Sequence, residues 1–246
     1  MRGRWRAWVR LGRVLACIAG GAYTLWRQAA RWTPDQRAAA VQQWAARMLR
    51  ALGVTLEVRG EPAPGPLMWV ANHIAWLDIL ALHALRYCRF IAKSEVRHWP
   101  LIGPMSDAAG TLFIERASRR DALRVVHQTA QALTDGEVVA VFPEGTTSEG
   151  VTVLPFHANL LQAAIATHTP IQPVRIEYFG ADGQRSTDVR YVGDDTLVAS
   201  VWRVLQAPSV RVRLTLCPAQ MANGRDRRVW AQALRQALTD APNLVA

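Results

Sequence analysis

His73 and Asp78 stand five residues apart in the run "NHIAWLDIL" (Asn72 to Leu80), surrounded by apolar side chains. Burying either titratable group is costly unless it finds a partner. A histidine held by a carboxylate is a general base: the acid orients one ring nitrogen, and the other takes a proton. The spacing alone does not make that pair. In a regular helix, five residues at about 100° each leave the two side chains some 140° apart. In a strand, an odd separation sends them to opposite faces. Contact therefore requires a bend, and the neighbouring residues supply one: "LMWVA" reads as a strand, Asn72 and His73 as a turn, and the residues from Leu77 as a helix carrying Asp78.

An H-x4-D match arises often by chance, so its company matters. "GTLFIER" (Gly110 to Arg116) and "FPEGTTS" (Phe142 to Ser148) each close an apolar strand pattern with a charge and small polar groups. In open α/β sheets, ligand sites collect at the carboxyl ends of strands, so the three segments could share one crevice. Gly145 permits close backbone approach beside Glu144 and Thr146, where N–H groups can hold phosphate oxygens. Arg116 offers a bidentate fork for a phosphate. Of 29 basic residues only Lys93, in "IAKSEV", is a lysine. A chain so biased to arginine uses one ammonium where a compact point charge is needed, which places Lys93 on a phosphate or on the reacting oxygen. His83, His98, His127 and His168 lack matching partners and read as structural or surface residues. Metal-ligand spacing is absent, and no G-x-S-x-G elbow occurs. The cysteines (Cys17, Cys88, Cys217) are three and widely separated, which fits a reducing compartment.

The elements that must position these groups alternate between strand and helix. Strands are expected at Val54 to Val58, "LMWVA", "RFIA", "GTLFI", "EVVAVF", "IQPVRIEYF" and "VRVRLTL", the last at a sheet edge because it alternates. Helices are expected at Asp35 to Leu52, Leu77 to Tyr87, Arg119 to Leu133, "FHANLLQAAIA", Thr196 to Leu205 and Arg225 to Leu238. Apolar strands between helices indicate an α/β fold with a mostly parallel central sheet flanked by helices.

The net charge is +10, so an anionic partner is expected. Residues 1–32 hold seven arginines, four tryptophans and no acid. Arginine and tryptophan around the apolar stretch Val14 to Trp26 is membrane-interface chemistry. As a helix that stretch is about 20 Å long, against roughly 30 Å of bilayer hydrocarbon. A half-inserted or surface-lying helix is the better reading, ahead of a cleaved signal or a buried helix. The next helix, Asp35 to Leu52, reads equally well as packed on the core or lying on the membrane. Nucleic-acid binding is not indicated, because the charge sits beside an apolar helix and not on a reading element.

Asn72-His73-x4-Asp78, Gly110-x-x-Phe113-Ile114-x-Arg116, Phe142-Pro143-Glu144-Gly145-Thr146 and Pro173 in "IQPV" resemble, in order, the four blocks of the PlsC-type glycerolipid acyltransferases. The match covers roughly residues 67–180. The resemblance implies an N-terminal membrane-associating helical pair at 1–52 and an acyltransferase domain at 53–246; the chain-breaking "GEPAPGP" places the start of the catalytic core near it. It implies transfer of an acyl group from a thioester donor, coenzyme A or carrier protein, to the hydroxyl of lysophosphatidic acid, with no other cofactor. His73 would be the base, Asp78 its orienter, and Lys93, Gly110, Arg116, Glu144, Gly145 and Thr146 the substrate-binding residues. The expected location is the cytoplasmic face of the bacterial inner membrane, on anionic lipid. Two departures stand out. Many members carry an arginine after the "FPEGT" block, where this chain has Thr147, and a later basic position reads His157. Both remove positive charge, which leaves a lyso-ornithine lipid as the alternative acceptor. A non-catalytic basic membrane protein is the rival of another class.

Overall fold

The computed structural model describes residues 2–115 and 118–241. Seven strands form one sheet: β1 (Val54–Arg59), β2 (Leu67–Ala71), β3 (Arg89–Lys93), β4 (Leu112–Ile114), β5 (Val138–Val141), β6 (Ile171–Phe179) and β7 (Val210–Leu216). Their spatial order is β1-β7-β6-β2-β5-β3-β4. From β6 to β4 every pair is parallel; β7 runs antiparallel to β6, and β1 parallel to β7. All of β2 and β5 is buried, as expected of strands covered on both faces.

The covering helices are α1 (Arg2–Gln28), α2 (Pro34–Leu52), α3 (Leu77–Leu85), α4 (Ile102–Ala108), α5 (Arg119–Thr134), α6 (Leu161–Ala166), α7 (Leu197–Gln206) and α8 (Arg227–Asp240). Alternation along β2 assigns the layers. Leu67, Trp69 and Ala71 pack with α1, α2, α3 and α7, whereas Met68 and Val70 pack with α5, α6 and α8.

α1 is anchored by polar contacts as well as by packing. The Arg10 guanidinium donates to the carbonyls of Val204, Leu205 and Ala207 at 3.4, 3.1 and 2.7 Å, closing the open last turn of α7. It also covers Gly53, the left-handed C-cap of α2, leaving no room there for a Cβ. Trp44 of α2 donates its indole N–H to the Cys17 carbonyl of α1 at 3.1 Å. No described helix is long and apolar enough to cross a membrane.

Four expectations change. β7 is not an edge strand: it lies between β1 and β6. Its alternation records one half-exposed face, where Arg213 meets Glu57 at 2.9 Å and stacks over Phe179. "GEPAPGP" does not begin the core, because β1 before it belongs to the sheet. Gln172 of β6 pins the segment, accepting from the Ala63 N–H at 3.0 Å and donating to the Glu61 carbonyl at 2.9 Å. "FHANLLQAAIA" forms a 3-10 turn and a six-residue helix instead of one long helix. α4 was not anticipated, nor was the 3-10 turn Ser94–His98 before it.

Candidate active site

The chain leaves the sheet at Asn72. Its side-chain amide continues the ladder that the backbone abandons, accepting from the Ile176 N–H at 2.7 Å and donating to the Ile176 carbonyl at 3.0 Å. That frees residues 73–76 to turn, and α3 then returns Asp78 beneath His73. The imidazole Nδ1 lies 2.7 Å from Asp78 Oδ2. The same oxygen accepts the backbone N–H groups of Ile74 and Ala75 at 2.7 and 3.0 Å. Oδ1 accepts the Tyr178 hydroxyl at 2.6 Å. An ionised carboxylate surrounded by donors can only accept, so Nδ1 carries hydrogen and Nε2 keeps its lone pair. Asp78 is wholly buried, while the histidine side chain is 18% exposed. The imidazole is thus partly open while the carboxylate that orients it is sealed, an arrangement that suits a general base.

The turn after β5 holds the histidine's backbone. Glu144 Oε1 accepts the His73 N–H at 2.8 Å, and Oε2 accepts the Leu154 N–H at 3.0 Å. From the other side, the Ser148 N–H donates to the His73 carbonyl at 2.8 Å. Gly145 makes this turn possible: at φ 71° it donates to the Phe142 carbonyl at 3.0 Å. Phe142 stacks on the imidazole, with ring centroids 4.0 Å apart and planes 10° from parallel.

A model of the acyltransferase family matches residues 55–177, which contain the histidine, its orienting acid and the bracing turn. The chain is 34% identical over 241 residues to the lyso-ornithine lipid O-acyltransferase of Pseudomonas aeruginosa, covering 96% of this chain and 93% of that one. It is 35% identical over 209 residues to the 1-acyl-sn-glycerol-3-phosphate acyltransferase of Neisseria meningitidis, covering 83% and 81%. The chain belongs to the acyltransferase family. Its fold is shared with the crystal structure of the 1-acyl-sn-glycerophosphate acyltransferase PlsC of Thermotoga maritima, at TM-score 0.75 and 20% identity over 100% of this chain and 97% of that one. The enzyme is thus an O-acyltransferase, and its four sequence blocks fall on one sheet.

The remaining candidate residues of this acyltransferase divide by sheet register. Phe90 pairs with Ala140 and Val70 with Val141. Extending both pairings puts Lys93, Pro143 and Asn72 in one row across β3, β5 and β2. Lys93 is exposed there, two strands from the histidine turn, or roughly 10 Å at the usual strand spacing. Thr146 is exposed on the same edge. Arg116 lies outside the described residues.

Gly110 is a correction. It precedes β4 and so lies at the opposite edge, where its carbonyl accepts from Arg89 at the start of β3 at 2.6 Å. Its φ of 77° and the crowding of Tyr87 and Arg89 on its Cβ position show a turn residue, placed away from the histidine. Glu144 is also placed otherwise than expected. It is 4% exposed with both oxygens engaged by backbone, so it braces His73 instead of facing substrate. Burial pushes its carboxyl above the ordinary range, against the pull of those donors.

Sequence reasoning missed Tyr178 and Arg175. Burial and the Asp78 charge push the Tyr178 phenol well up, so it stays a donor. Arg175, buried beside Glu144, donates to the Gly150 carbonyl at 2.9 Å, and its Nε has no protein partner among the described residues. Arg185 donates to the same carbonyl at 2.6 Å, so two guanidiniums pin the turn that clamps His73. The available signal was four polar residues (Gln172, Arg175, Glu177, Tyr178) inside a strand that is otherwise core.

Proposed function

We propose that this enzyme acylates the free hydroxyl of lysophosphatidic acid, yielding phosphatidic acid. The observation that carries the chemistry is His73, oriented through Nδ1 by a sealed Asp78 and open at Nε2. Nε2 removes the hydroxyl proton as the oxygen attacks the thioester carbonyl. The tetrahedral adduct collapses, the C–S bond breaks, and the departing thiolate takes the proton back from the imidazolium. No acyl-enzyme is formed. The donor is an acyl thioester of coenzyme A or of a carrier protein. General-base help contributes roughly 10²–10⁴ in rate, and positioning the two substrates supplies more.

In this reading Lys93 and Thr146 receive the acceptor phosphate on the strand-end edge, and Arg116 supplies a further guanidinium to it. The relative named for 1-acyl-sn-glycerol-3-phosphate supports this acceptor. Lyso-ornithine lipid is the second reading, favoured by the turn's loss of charge and by the name of the Pseudomonas relative. Thr147 sits where many members carry arginine, and its hydroxyl donates to the Tyr191 carbonyl. Glu149 beside it pairs with Arg190 at 3.0 Å.

The enzyme works at the cytoplasmic surface of the membrane, with α1 and α2 as its docking pair. Trp5, Trp8, Tyr23 and Trp26 are exposed along α1, an arrangement suited to the headgroup zone. Trp99 and Leu101 add exposed apolar surface shortly after Lys93.

Acyl transfer by the purified protein, with lysophosphatidic acid and lyso-ornithine lipid each tested against both donors, checks the assignment. Turnover of the first and loss of turnover in His73→Ala are expected; turnover of the second alone replaces the acceptor. If His73→Ala retains full activity, the general-base reading fails. Lys93→Arg separates an ammonium from any cation: full activity in that variant refutes the need for lysine.

A further inference from the structure

α1 and α2 enclose a groove of about 510 Å³ that no step of the reaction uses. Its floor is Ala16, Cys17, Gly20, Gly21 and Thr24 of α1, where small side chains leave room for a ligand. Its rim is Arg13 from α1 with Arg47 and Arg50 from α2. These three guanidiniums are exposed and make no hydrogen bond or ion pair among the described residues. Arg10 offers the contrast, since α7 carbonyls take it up. Three unneutralised charges around one concavity repel one another, and an anion there relieves that repulsion while accepting from several forks.

Where the groove points identifies the anion's source. At 100° per residue, Trp5, Trp8, Leu15, Tyr23 and Trp26 fall within about 80° of arc, and the groove residues of α1 centre about 130° further round, starting with Ala16 about 20° past Tyr23. The groove thus opens beside the outward aromatic stripe. A lipid whose chains lie along that stripe presents its headgroup to the arginines.

We propose that the groove binds the phosphate headgroup of an anionic membrane lipid, with Arg13, Arg47 and Arg50 as its ligands. A phosphomonoester, with its charge near −2, binds better than a phosphodiester. That headgroup belongs to both the acceptor and the product proposed above, so the groove is a second place at which the enzyme holds its own lipids. The inference rests on the membrane-docking reading of α1.

Flotation of the full chain with vesicles tests it. The vesicles are phosphatidylcholine alone or with phosphatidic acid or phosphatidylglycerol at equal mole fraction. Inorganic phosphate is the soluble arm. Tightest binding to phosphatidic acid is expected. The triple variant Arg13→Gln, Arg47→Gln, Arg50→Gln should lose on the order of 100-fold on anionic vesicles, at about tenfold or less per arginine. It should keep its unfolding temperature, because the side chains replaced hold nothing in the protein. An equal charge loss at Arg4, Arg27 and Arg31, outside the groove, should cost clearly less. Equal losses in the two variants overturn a built site in favour of diffuse attraction. Unchanged binding of the groove variant to anionic vesicles overturns the site and leaves the docking reading standing. Binding of inorganic phosphate as tight as that of lipid overturns the lipid source. If the unaltered protein floats with no vesicle, docking fails and the groove proposal falls with it.

Discussion

Asp78 and Glu144 are both buried acids that accept backbone N–H groups beside His73, yet one holds its ring and the other its peptide. Asp78 meets a side chain on each oxygen, imidazole on one and phenol on the other. Glu144 receives only backbone donors. In the proposed reaction Asp78 would therefore set the proton chemistry of the base, and Glu144 where the base stands. The two roles separate cleanly by substitution.

The largest effect is expected at Asp78→Asn. The amide oxygen will occupy the Oδ2 position, because an amide nitrogen there would face the Ile74 and Ala75 N–H groups. The amide nitrogen then meets the Tyr178 oxygen, whose hydroxyl can rotate to accept. Geometry survives and the charge opposite the imidazolium is lost, so kcat should fall by roughly 10²–10⁴ with little change in KM, while the buried Tyr178 hydroxyl hydrogen loses its acceptor at a cost of about 1–3 kcal/mol in stability. Steady-state kinetics and thermal unfolding on one preparation decide it. A fall below tenfold would remove Asp78 from the proton chemistry.

Glu144→Gln should act more mildly and differently. One of its two ends must present NH₂ to a backbone donor, which loses one anchor and costs about 1–3 kcal/mol. We expect kcat to drop about tenfold, in line with a small misplacement of the base, and the acid limb of the rate profile to move to lower pH, because the carboxylate charge that attracts the imidazolium is gone. The stability profile supplies a second readout. The folded-state carboxyl lies above its ordinary range, so the parent protein's Glu144-linked stability is fullest at acid pH and is lost as pH rises through that value. The glutamine variant lacks this slope, which unfolding temperatures from acid to neutral pH will show.

These roles were only partly legible in the sequence. The His73–Asp78 contact could be argued because five residues can be bridged only by a bend, and an apolar run before Asn72 with a helix pattern after it supplies one. Lys93 stood out as the lone ammonium. Gly110 misled because a motif read along the chain does not say which sheet edge each member reaches, and a three-residue strand separates it from Arg116. Tyr178 stayed hidden because its partner is 100 residues away and depends on β6 lying beside β2. β7 was misplaced because alternation reports exposure of a face, whereas an edge is a matter of missing neighbours, a perpendicular direction.

Tyr178→Phe tests the far side of the same carboxylate. Asp78 Oδ1 is left buried without that donor, at a cost of about 1–3 kcal/mol in stability. The remaining charge concentrates on Oδ2 and favours the imidazolium, so the acid limb of the rate profile should move to higher pH. At high pH, kcat should change by only a few-fold. A stability loss with an unmoved acid limb would make Tyr178 a packing residue alone.

The smallest effect on turnover is expected at His83, a buried histidine with no carboxylate partner among the described residues. It is buried against Tyr87 and Phe90, its Nδ1 has no protein partner among the described residues, and burial lowers its pKa to about 4. A lowered imidazole value means the folded protein resists the proton that the unfolded chain accepts near 6.5. Stability is therefore whole above that pH and declines as pH falls from about 6.5 toward 4, by at most about 3 kcal/mol. His83→Phe keeps an aromatic ring in the stack and removes the titration. Chemical denaturation at neutral and mildly acid pH should show the variant losing less stability on acidification than the parent, with turnover at neutral pH unchanged. An equal loss in both proteins would mean that His83 finds a partner for its proton, and that burial without a carboxylate does not separate it from His73.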